Sequence, residues 1–293
     1  MNIPPSRGER AFDVINIVFM LGLIVVTLYP FLYVVFASLS SPADLLQHRG
    51  LLFAPIGFSL ESYRLVFSNP MIAIGYSNTL FYVVVGTALN IILTSFAAYG
   101  LSRRNVLLAN KIMFAIVFTM FFSGGMIPTY LIIKSLHLFD TRWVMILPSA
   151  ISTWNLLVMR TSFQGVPVAL EESARMDGAN DFTILFKIFI PVSLPIMAVM
   201  VLFYGVSHWN SYLDAMIYLR NRELYPLQLV LQEILISNSS DSMMTSVSDF
   251  DKGLLQETIK YAMIVVATVP ILLLYPFLQK YFVKGVILGA IKE

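Results

Sequence analysis

Apolar runs and polar gaps alternate along this chain on a scale far longer than the period of a soluble amphipathic helix. A bilayer core takes about 20 apolar residues per helix. Six segments meet that length, at roughly 13–38, 76–100, 111–133, 143–162, 192–218 and 258–282. The pattern predicts an all-α membrane protein: one transmembrane domain, 1–293, with six transmembrane helices and both termini on the same side. With that side as the cytoplasm, Arg103, Arg104, Arg160, Arg175 and Lys187 fall inside, while the outer basic residues sit mostly in the longer loops 38–75 and 219–257, where charge bias counts for little. The orientation expected is N-in, C-in. The apolar run behind the polar start Met1–Arg10 is too long for a signal-peptide core and is expected to remain as the first membrane helix.

Two outer stretches carry helical patterning of their own. "FSLESYRLVFSN" predicts a short amphipathic helix, and "ELYPLQLVLQEILI" predicts another at the membrane interface or against a partner. The polar run "SNSSDSMMTSVSDFDKG" behind the second is expected to be mobile.

The inner segment 164–190 breaks the apolar rhythm most sharply. Pro167 suits the first turn of a helix, and Glu171 and Glu172 lie near that helix's positive end. Asp177-Gly178 supplies a stop in which glycine takes the left-handed conformation. Asn180-Asp181 then caps a second helix with Leu185, Phe186 and Phe189 close to one face. Pro191 and Pro195 mark the return to the membrane. The unit predicted is a helix, a sharp turn and a second helix lying along the membrane surface, a small acidic knob whose Ala174-Gly178-Ala179 side permits close approach.

Composition narrows the chemistry. The chain has 293 residues, 58% of them hydrophobic and 12% charged, so its solvent is mostly lipid. It has no cysteine, which excludes disulfides, thiolate metal sites and cysteine nucleophiles. A formal charge of +2 without a basic block gives no nucleic-acid footprint. No phosphate-binding G-x-x-x-x-G-K-[ST] run occurs, and His48, His137 and His208 are too dispersed for a metal motif. Catalytic and metal residues are therefore expected to be absent, and Gly124-Gly125 is expected to bend a helix or to permit close packing. Trp154 and Asn155 in the fourth span, and Trp209, Asn210 and Tyr212 in the fifth, could line a path for a sugar by stacking and hydrogen bonding, or could simply tie helices together. His208 admits proton coupling or hydrogen-bonded packing.

Glu172, Ala174, Gly178, Ile188, Ile190 and Pro191, spaced around Asp177-Gly178-Ala179, resemble the EAA loop of ABC importer permeases, with Ser173 in place of the second alanine. "NTLFYVVVGTALNIILTSFAAYGLSRR", "GGMIPTYLIIKSLHLFDTRW", "HWNSYLDAMIYL" and the terminal "KGVILGAIKE" resemble the carbohydrate branch of the same family, with an alginate-oligosaccharide importer permease the closest resemblance. The resemblance implies a type I permease subunit of the bacterial inner membrane that moves oligosaccharides. It implies a second homologous permease, two ATP-binding-cassette ATPases that bind ATP and Mg, and an extracytoplasmic solute-binding protein. No cofactor is implied in this chain. Glu172, Ala174, Asp177, Gly178 and Ala179 are the residues it implies for coupling to an ATPase, and "GAIKE" could reach between the ATPases. Pro191 and Pro195 would pass the knob's motion to the fifth span. The alternative is a stand-alone secondary transporter, for which only His208 and Asp214 offer coupling sites.

Overall fold

A computed structural model describes residues 6–103, 105–237 and 249–290. Arg104, most of the polar run (238–248) and the last three residues of the tail lie outside the described residues. Every regular element among the described residues is helical.

Helix α1 (Arg7–Ser38) opens with a capping box in which Glu9 N donates to Ser6 Oγ at 3.2 Å and Ser6 N donates to Glu9 Oε2 at 2.5 Å. Short helices α2 (Pro42–Gln47) and α3 (Glu61–Ser68) follow. The second of these is the amphipathic helix the sequence predicts; α2 is additional. Helix α4 (Pro70–Phe81) continues through a π-helical turn, Tyr82–Gly86, into α5 (Thr87–Ser102). Next come α6 (Ala109–Phe121), α7 (Met126–Ser135), a 3-10 turn at Arg142–Met145, and α8 (Thr153–Gln164). The loop 164–190 holds α9 (Val168–Met176) and α10 (Asp181–Ile184), then a π-helical turn, Leu185–Phe189, and α11 (Ile190–Val192). The remainder is α12 (Leu194–Trp209), α13 (Leu213–Tyr218), α14 (Leu227–Ser237) and the 42-residue α15 (Asp249–Ala290).

Among the described residues, three stretches are long and apolar enough to cross a bilayer unbroken: Gly8–Ser38, Pro70–Ser102 and Leu255–Leu274. Two bent pairs bring the number to five if each pair is one span: α6 with α7 at 114°, and the Asp181–Val192 segment with α12 at 87°. Three of the expected spans therefore differ from continuous helices. In the third, Gly125 at φ +85° breaks the run, a conformation glycine adopts at little cost. In the fourth, 143–162, only α8 is α-helical; Pro148 has no N–H to continue a helix, and Ser152 caps a new one by accepting from Asn155 N. In the fifth, 192–218, the chain breaks at Ser193 and again at 210–212.

Two compact units contain these elements. The first comprises Met1–Pro70 and Glu233–Thr268, with a small core of Ala37, Leu45 and Leu52 packed by Tyr33, Phe36, Ile56 and Tyr261. The second comprises Met71–Gln232 and Val269–Glu293. Its main core joins Ala98 and Tyr99 of α5, Leu156, Met159 and Phe163 of α8, Ile184, Leu185 and Phe189 of the loop 164–190, and Met197, Met200 and Tyr204 of α12. Here the start of α14 packs closely on α4: Leu227 and Val230 lie against Gly75, and a Cβ there would come within 3.1 Å of Leu227 Cα.

Candidate functional site

The loop 164–190 folds as its sequence directs. Helix α9 ends in a Schellman motif: Gly178 N donates to Arg175 O at 3.0 Å, and Ala179 N to Ala174 O at 2.9 Å. That arrangement needs the positive φ of +82° that Gly178 adopts. Asn180 Oδ1 accepts from Thr183 N at 2.8 Å and starts α10. Pro167 occupies the N-cap of α9 rather than its first turn.

The faces of this knob differ from the expectation in two respects. Ala174, on the core side of α9, and Ala179, which the Schellman turn brings back to it, are partly buried against the core; the exposed tip is Glu172, Ser173, Met176, Asp177 and Gly178. On the second helix Ile184, Leu185 and Phe189 are buried while Phe186 stays half exposed, its ring edge-on to Phe96 at 5.9 Å. The π-helical turn explains this: its extra residue rotates Phe186 off the buried face.

Glu171 is more than a helix-dipole partner. Its carboxylate pairs with Arg103 and also accepts from Arg175 Nη2 at 3.0 Å. Arg175 Nη2 reaches Asp181 Oδ1 at 2.6 Å, and Tyr99 Oη donates to that same oxygen at 3.1 Å. Arg175, outside the apolar segments, has its pKa raised by Glu171 first and Asp181 second. Sequence reasoning missed Arg103 as a site residue; the available signal was a cation at the end of an apolar span, next to an acidic loop.

Residues 81–288 match the model of a family described as "Binding-protein-dependent transport system inner membrane component". This chain belongs to that family. The resemblance to ABC importer permeases is thereby shown. The polygalacturonan/rhamnogalacturonan transport system permease protein YtcP of Bacillus subtilis (strain 168) is 44% identical over 97% of this chain and 99% of its own length. Protein LplC of the same organism is 40% identical over 98% and 97%. A solved structure described as a bacterial ABC transporter involved in the import of the acidic polysaccharide alginate has a chain 34% identical, with a TM-score of 0.87 and coverage of 96% of this chain and 100% of that one. This is a family of transport permeases, not of enzymes, and it works with a partner permease, an ATPase and a binding protein.

The path candidates of this permease separate in the structure. Trp154 and Asn155 open α8 and line a cavity of about 550 Å³ together with Ser149, Ser152, Tyr204 and His208. Trp209 closes α12, buried and edge-on to Tyr76 at 6.2 Å, so it packs rather than faces that cavity. Asn210 and Tyr212 lie in the exposed break between α12 and α13, not within a continuous span.

A buried polar ladder backs the cavity wall. Asn90 Nδ2 donates to Ser149 O at 2.7 Å and to Ala150 O at 2.9 Å, leaving Asn90 Oδ1 to accept from His208 Nε2 at 2.7 Å. One turn on, Tyr204 Oη meets Thr94 Oγ1 at 2.7 Å and accepts from Ser152 N at 3.1 Å. Irregular backbone at membrane depth is tolerated where such partners satisfy it. His208 is thus hydrogen-bonded at the cavity wall, seated where Gly86 has no side chain: a Cβ there would come within 2.5 Å of its Nε2. Asn90 and Tyr204 were not singled out from the sequence, although polar groups four residues apart on apolar helices, Asn90/Thr94 and Tyr204/His208, were the available sign.

Proposed function

We propose that this chain is one permease subunit of an ATP-driven importer in a bacterial inner membrane, with six spans, N-in and C-in, moving acidic oligosaccharides. The observation that carries the ATP coupling is the α9–turn–α10 knob, whose exposed tip of Glu172, Met176, Asp177 and Gly178 stands on a root buried in the core of α5, α8 and α12. A ligand-gated cycle needs such a piece, solid at its base and accessible at its tip. The acidic cargo rests on the relatives: polygalacturonan and rhamnogalacturonan carry uronate carboxylates, and alginate is named as an acidic polysaccharide. Trp154 and Asn155 would offer stacking and hydrogen bonding to such a chain from the cavity wall.

The test is purification from native membranes of the tagged chain and of Glu172→Ala and Gly178→Pro variants. Co-purification of an ATPase and a second permease is expected, with ATP hydrolysis stimulated by the solute-binding protein in the native complex and lost in both variants. A chain that purifies alone and carries oligogalacturonate into ATP-free liposomes would sink the proposal.

A further inference from the structure

Helix α9 is nine residues long and has no fully buried side chain, so apolar packing alone does not fix its attitude. Ion pairs do. Arg103, one residue beyond α5, donates to Glu171 of α9. Glu171 also accepts from Arg175, Arg175 donates to Asp181 at the start of α10, and Asp181 accepts from Tyr99 of α5. The ring closes where the Arg103 guanidinium lies 5.3 Å from the centre of the Tyr99 ring. Two further branches leave Arg103: Nη2 donates to Phe163 O of α8 at 3.1 Å, and the guanidinium stacks 4.2 Å above Phe189. Arg103 and Glu171 are only 10% and 13% exposed, so water screens their attraction weakly. A planar guanidinium suits this role because it can donate in several directions while stacking on an aromatic face.

From this geometry we infer that Arg103 is the positioning residue that makes the α9 knob a rigid extension of α5, α8 and the Asp181–Val192 segment. A displacement of the tip then moves those elements together instead of being absorbed by a hinge at 165–168. The inference rests on the coupling role proposed for the knob, but the rigidity it requires is measurable without an ATPase.

The chain has no cysteine, so two can be introduced cleanly. Spin labels on Met176→Cys at the tip, which is 89% exposed, and on Ile92→Cys in α5, which is 46% exposed, report the tip-to-span distance distribution in the full chain. A narrow distribution is expected in the native background, a broad one with Arg103→Gln or Glu171→Gln, and an intermediate one with Arg103→Lys, which keeps the charge without the fork. Unchanged width in the folded Gln variants, with helix content verified by circular dichroism, overturns the inference whatever the knob docks against. In proteoliposomes of the whole complex, oligogalacturonate imported per ATP hydrolysed should fall by roughly 2- to 30-fold in Arg103→Gln, the range produced by mutations along a coupling network, while the ATPases still co-purify. An unchanged ratio in a native complex that does couple overturns the role of Arg103 alone. A native chain that recovers no ATPase overturns that role together with the function it rests on.

Discussion

At Gly86 and Gly178 the need for glycine has two different causes, and the two positions predict different losses. At Gly178 nothing lies within 4 Å of an added Cβ, so Gly178→Ala costs only the left-handed backbone, roughly 1–2 kcal/mol, and Gly178→Asn less. At Gly86 the backbone is ordinary and space is the constraint. Gly86→Ala drives a methyl into the His208 ring, which Asn90 holds in place, and should destabilise by about 1–3 kcal/mol. Adding His208→Ala should return part of that loss, so the double variant is more stable than the sum of the singles predicts. Denaturation midpoints in detergent check both; strict additivity would mean that the ring moves aside freely. Glycine's positive φ at 178 was legible in the Asp-Gly dipeptide, whereas the crowding at Gly86 was not, because His208 is 122 positions away.

Single elements show why hydropathy located the apolar segments and missed their interruptions. An apolar window registers composition, and the 143–152 stretch is apolar; its irregular backbone exists because Asn90 and Tyr204, distant in sequence, satisfy Ser149 O, Ala150 O and Ser152 N. Asn90→Leu is almost isosteric yet removes three hydrogen bonds at once and strands two carbonyls. It should cost about 2–4 kcal/mol, more than Tyr204→Phe, since unsatisfied buried groups cost more than the bonds themselves return; equal losses in thermal unfolding would argue that water enters the break. A second long-range tie joins the turn at Asp140 to that at Arg220-Asn221. Asp140 Oδ1 accepts from Arg220 N and Asn221 N, each at 2.8 Å, and these bonds, that of Asn221 first, hold its pKa below the ordinary 3.8. A lowered folded pKa stabilises above the unfolded value and is lost as pH falls through the folded one. The clasp should therefore be intact at neutral pH and loosen only below about pH 4. In Asp140→Asn, which keeps an acceptor but cannot titrate, the unfolding midpoint should fall less steeply as the pH drops below about 4.

At the scale of the whole molecule, the exposed surface is the informative part. The most apolar stretch of α1 has none of its residues buried, and Leu107, between α5 and α6, is 88% exposed, so the membrane or another subunit must cover what this chain does not. In the proposed N-in, C-in orientation the knob and the turns clasped by Asp140 lie on opposite sides of such a membrane. The absence of cysteine makes that testable at single sites. Met176→Cys, at the knob's exposed tip, should react with a membrane-impermeant maleimide in inside-out vesicles and not in intact spheroplasts. Asn221→Cys should show the reverse. Both reacting from one side would place an even number of crossings between residues 176 and 221, whereas the N-in, C-in reading requires the single broken crossing formed by α12, the break at 210–212 and α13. The break can be crossed without exposing bare backbone to lipid because Asn210 N still bonds Val206 O and Ser211 N bonds His208 O, closing α12 on itself before the chain turns.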